Sequence, residues 1–221
     1  MRSLLKPAIF LAAGLMLAPG FSSAALVTSL PGATAIPLAA FNVYDVGPVA
    51  IAPGITWSAF DNNAQAGWTG VHSLGVNGRW EGPEPFYGLE VGDGTSRITM
   101  TWAFDTPVSG VGGLINYAPG AGDLDITSLI QVLDSAFNIL EYYDLTISAP
   151  ISTPGGINDG VFLAIDRAGD DISYFRVWND ALVLRNLTVQ LAPAVGIPEP
   201  MSLPLLAAGL AGIALVRRRP G

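Results

Sequence analysis

This chain of 221 residues has no cysteine, one histidine and one lysine. Without cysteine there is neither a disulfide framework nor a thiolate for nucleophilic attack or metal binding. A lone histidine, His72, cannot supply the two or three imidazoles that zinc hydrolases use. Ser73 follows it, but adjacent residues on a strand point to opposite faces, so the two do not make a nucleophile–base pair by themselves. Charge is also sparse, at 13% of residues, and ten cations face eighteen acids. Long apolar runs are confined to the two ends, and no segment between them carries a helical period.

Those two ends are informative. At the front, Arg2 and Lys6 form a basic patch, Pro7–Ala18 is apolar, and Ser22-Ser23-Ala24 supplies small residues. This is the pattern of a secretory signal peptide over residues 1–24, cut by signal peptidase between Ala24 and Ala25. An uncleaved signal anchor is the alternative. At the back, Met201 to Val216 holds no charged residue. Its apolar side chains include Met201, Leu205, Leu206, Leu210, Ile213, Leu215 and Val216. As a helix it would rise to roughly 24 Å, short of but close to the ~30 Å of a bilayer core. Pro204 falls in its first turn, where a missing N–H costs little. Arg217, Arg218 and Arg219 follow at once, and the positive-inside tendency keeps them cytoplasmic. Pro198-Glu199-Pro200 precedes the run, and two prolines around one acid hold the chain extended and accessible.

Pro198, Glu199 and Pro200, then an apolar stretch ending Gly-Leu-Ala-Gly-Ile-Ala-Leu, then an arginine cluster, resemble the PEP-CTERM sorting signal of Gram-negative bacteria. The resemblance covers residues 197–221 and implies recognition by an exosortase, a membrane transpeptidase-like enzyme. It implies export through the general secretion machinery, transient anchoring in the inner membrane, and delivery to the cell surface or an extracellular, exopolysaccharide-containing matrix. A plain tail anchor that is never cut is the alternative.

Between the ends lies a single domain, residues 25–192, joined by a linker at 193–196 to the tail. It carries five arginines against seventeen acids, a balance of −12. That surface disfavours nucleic acid and anionic lipid. The domain consists of short β-type runs broken by Gly, Pro, Asn and Asp. Ser96 to Phe104 alternates best: Ile98, Met100, Trp102 and Phe104 share one face. Asp105-Thr106-Pro107 reads as a turn, Asp134 to Phe137 as a hairpin connection, and Asn77-Gly78 and Asn179-Asp180 as tight turns. The pattern predicts an all-β fold: an antiparallel β-sandwich, jelly-roll-like, of about nine to eleven strands. Runs such as Phe104 to Gly112, Ile130 to Asp134, Ile172 to Val177 and Asn186 to Val189 look like strands of many PEP-CTERM ectodomains, which are similar to jelly-roll carbohydrate-binding modules. Such proteins usually carry a paired Asp where this chain has Arg185-Asn186, a departure that counts against the associated calcium site.

Carboxylates are the plentiful reactive groups. Asp166, Asp170 and Asp171, with Asp159 and Asp180 near in sequence, offer oxygen ligands for Ca²⁺. The same residues with glycine are ordinary turn chemistry, and Asp123-x-Asp125 is a weaker pair. Glu81 and Glu84 are a conceivable glycosidase pair, although both sit in one proline-bound stretch. Five tryptophans are generous for this size. Trp102 belongs to the alternating core face. Trp80, between Arg79 and Glu81, is expected to be exposed and to offer a flat face for a sugar ring. The sequence thus points to an exported, non-catalytic structural or glycan-binding protein with no required cofactor. A secreted exopolysaccharide hydrolase and a calcium-dependent lectin-like module are the alternatives.

Overall fold

A computed structural model describes residues 24–60, 62–90, 98–120, 127–178 and 181–190. The predicted signal peptide through Ser23, the linker, the Pro-Glu-Pro motif, the apolar tail and its arginines lie outside the described residues, as do Asp123, Asp125, Asn179 and Asp180. Among the described residues, no helix is long and apolar enough to cross a membrane.

The strands in chain order are β1 (Ala25–Val27), β2 (Thr34–Ala35), β3 (Val43–Tyr44), β4 (Val49–Ala52), β5 (Ile55–Ala59), β6 (Ala64–Trp68), β7 (His72–Ser73) and β8 (Arg79–Trp80). They continue as β9 (Phe86–Leu89), β10 (Thr99–Val108), β11 (Gly110–Tyr117), β12 (Leu129–Leu133), β13 (Ile139–Asp144), β14 (Val161–Asp166), β15 (Ile172–Trp178) and β16 (Leu182–Gln190). The first sheet runs β1-β14-β11-β16-β9-β6-β3, with β2 also against β16. The second runs β13-β12-β15-β10-β5-β4, and β7 with β8 makes a small ribbon. Every pairing between these strands is antiparallel. The domain is all-β, as expected. The extra strands beyond the expected count are mostly two-residue pieces in the proline-spaced start of the domain and in the ribbon.

The alternation in β10 sets the core between the two sheets. Met100, Trp102 and Phe104 are buried there, as the period of two requires. Trp102 meets Tyr87 of β9 edge-on, with centroids 4.9 Å apart, and stacks on Phe175 of β15 at 5.5 Å. These contacts join the sheets face to face. Burial also pushes the Tyr87 phenol well above the usual tyrosine range.

Three local expectations change. Asp105-Thr106-Pro107 is not a turn: β10 runs through it to Val108. The β10–β15 register shifts between Ala103 and Val108, and the pairing with β5 ends at Phe104, so Pro107 is not asked for a ladder N–H. Trp68 to Val76, which from its sequence reads as one β-type run, is not one strand, because the chain leaves the sheet after Trp68 and forms the ribbon. Gly67, at φ +62°, and a register shift before Trp68 begin that departure. Asn138 to Ile147, which from its sequence also reads as one β-type run, keeps its strand only as far as Asp144. The Asp144 carboxylate accepts from Thr146 N and Oγ1 at 2.9 and 2.6 Å and caps one helical turn, α1 (Leu145–Ser148).

The excursion between β6 and β9 folds over the outer face of the first sheet. It creates a second small core of Leu74, Trp80, Phe86, Ala118, Ala181 and Val183. Asn77 anchors it: Nδ2 donates to Tyr117 O at 2.9 Å and to Ile151 O at 3.1 Å, and Oδ1 accepts from Thr153 N at 3.1 Å.

Candidate functional site

Trp80 is a correction. It is not exposed: only 1% of it meets solvent. Its Nε1 donates to Asp159 O at 2.8 Å, its edge meets Phe86 at 6.1 Å, and the Arg185 guanidinium lies 5.2 Å above its ring. The face expected to stack on a sugar is already covered by a cation. Arg185 in turn is ion-paired to Glu84. A groove of about 350 Å³ beside them is lined by Leu38, Glu84, Pro85, Arg185 and Asn186.

The two glutamates of the conceivable glycosidase pair each hold a different arginine. Glu81 pairs with Arg79 at 2.7 Å, and that hydrogen bond holds its carboxyl below the usual range. The acid of such a pair needs the opposite shift.

The three candidate calcium ligands do not converge. Asp166 ends β14 and faces Ala25 and Gly110 in the register. Asp171 grips Arg167 with both oxygens, Nε–Oδ1 and Nη2–Oδ2 each at 2.7 Å. Among the described residues, no three acidic, histidine or cysteine side chains are grouped to hold a metal ion, and Asp170 adds no third ligand. The Arg167 charge already neutralises the Asp171 carboxylate that Ca²⁺ would need.

His72, on strand β7 of the ribbon, is buried, with 2% exposure. It meets Phe86 edge-on at 5.9 Å. Its Nδ1 lies 3.4 Å from Gln65 Oε1, Gln65 Nε2 donates to Glu90 Oε1 at 2.6 Å, and Tyr44 OH donates to Glu90 Oε2 at 2.9 Å. Burial lowers the imidazole to about 4, outweighing the neighbouring Glu90 charge. A groove of about 370 Å³ adjoins Val71, His72, Ser73, Glu90 and Ala181. A neutral imidazole locked in a chain of side-chain hydrogen bonds is a packing element of the second core.

Another groove, of about 430 Å³, lies on the outside of the second sheet and is lined by Ser58, Ala59, Phe60, Thr99, Thr101 and Arg176. Cavities of roughly 300–1,000 Å³ suit small ligands. Phe60 is 76% exposed. On β15, Phe175 and Val177 are in the core, so Tyr174, Arg176 and Trp178 face outward. Phe137 stacks on Tyr174 at 4.2 Å with rings 18° apart. The sequence reading missed this face, although its signal was local: aromatic, arginine and tryptophan alternate there with two core residues.

No protein-family model, curated protein or solved structure matches this chain.

Proposed function

We propose that this is an exported protein of the cell surface or extracellular matrix, carrying a non-catalytic structural or binding domain and sorted by an exosortase through its tail. The observation that carries the reading is the order of features at the C-terminal end: Pro198-Glu199-Pro200, the uncharged run Met201 to Val216, then Arg217 to Arg219. The signal-like front end supports it. So does the position of β1, which opens at Ala25, the residue that cleavage after Ala24 would make the first. The pairing of β1 with β14 starts at Ala25, so cleavage after Ala24 leaves that register whole. Strands that switch between the two sheets at most connections suit the jelly-roll-like form of the sandwich. A domain without cysteine keeps its stability in the core, whatever the redox state of its surroundings.

The test is intact mass and cell fractionation in the native host. The expected product begins at Ala25 and ends near Pro198–Pro200, outside the inner membrane. A full-length tail retained in the inner membrane would replace the sorting signal with a plain anchor and remove the reading.

A further inference from the structure

The arginines of the domain are not used alike. Among the described residues, Arg79 pairs with Glu81, Arg167 with Asp171 and Glu141, and Arg185 with Glu84. Arg176 has no carboxylate within ion-pair distance among the described residues. Its Nε donates to Thr101 Oγ1 at 3.2 Å. Partial burial lowers its pKa, with no compensating partner. A partly desolvated cation is costly unless a negative group meets it.

What surrounds Arg176 specifies the kind of negative group. Along β15 it lies between Tyr174 and Trp178, which are roughly 13 Å apart on the same face. Across the strands, the register sets Gln131 on one side of it and Thr101, then Ser58, on the other. Gln131 is 3% exposed, and its Nε2 has no protein partner among the described residues. Phe60 and the Thr99 hydroxyl border the same groove. An exposed ring, hydroxyls and an amide around a single guanidinium match a pyranose chain. Its C–H face lies on Phe60, its hydroxyls bond to the polar side chains, and a carboxylate takes the guanidinium through two parallel hydrogen bonds.

We propose that the outer face of the second sheet, centred on Arg176 and bordered by Phe60, Thr99, Thr101 and Gln131, binds a saccharide chain by seating one uronic-acid carboxylate on the Arg176 guanidinium. This rests on reading the domain as an extracellular binding module, and it moves the glycan site from Trp80 to the opposite sheet.

The test uses the full chain in a zwitterionic detergent, since sugar-headed detergents would compete. It is titrated calorimetrically with oligogalacturonate and with an uncharged cello-oligosaccharide, in 0.15 M salt to screen long-range repulsion from the acidic surface. The uronate binds, the uncharged chain binds at least about tenfold more weakly, and R176Q weakens the uronate by about tenfold or more. F60A, a change at an exposed ring, weakens it several-fold with an unaltered circular dichroism spectrum. Absence of uronate binding by the wild-type chain, or equal binding by R176Q, overturns the proposal, as does tight binding of the uncharged chain that R176Q leaves unchanged. Binding does not depend on tail processing. A negative titration therefore leaves the export reading standing, and an unprocessed tail with intact binding removes only that reading.

Discussion

His72 shows how one side chain couples the fold to pH. Unfolded, its imidazole titrates near 6.5; folded, burial holds it at about 4. Between those values the unfolded chain takes up a proton that the folded chain refuses. Its contribution to stability is complete above pH 6.5 and is lost as pH falls toward 4. Urea unfolding at pH 7.5 and 4.5 should show the wild-type chain losing roughly 2–3 kcal/mol more than H72Q over that interval. Equal losses would mean that the imidazole is accessible to protons in the folded state. At this scale the sequence is a partial guide. Trp102 declared its burial through alternation with its neighbours. Trp80 misled, because Arg79 and Glu81 beside it suggest solvent, whereas the acceptor of its indole N–H lies 79 residues away.

Strand interiors were legible where the pattern was local. The run Ile172 to Val177 lies inside β15 (Ile172–Trp178), and the Leu129–Leu133/Ile139–Asp144 hairpin pairs as its Asp134 to Phe137 connection suggested. What no local pattern carries is which strands meet. β15 and β16 follow one another in the chain and yet lie in opposite sheets. Glycines in β11 show the consequence of one such meeting. A Cβ on Gly112 would strike the backbone of Leu163 and Ala164 on β14, so the two strands approach closely there. Backbone cannot rotate aside as a side-chain tip can. G112A should cost about 1–3 kcal/mol or more, read as a lowered urea midpoint. An unchanged midpoint would show that β11 and β14 separate without penalty.

At the scale of the whole molecule, acidity and the lack of cysteine were plain in the sequence, and the groove on the second sheet was not, because it is assembled from β5, β10 and β15. The place of β16 has an effect of its own. The last strand among the described residues is an inner strand of the first sheet, hydrogen-bonded to β11 and β9, with β2 added beside it. A chain that stops before Leu182 therefore lacks the middle of that sheet and should show no cooperative thermal transition. A sharp transition in that truncated chain would mean that the first sheet closes without it. A chain is made N-terminus first. Until residues 182–190 emerge, the strands of the first sheet already out lack the inner strand that joins β11 to β9. The order of strands acts as a timer: the first sheet closes only once almost all of residues 25–190 have been made.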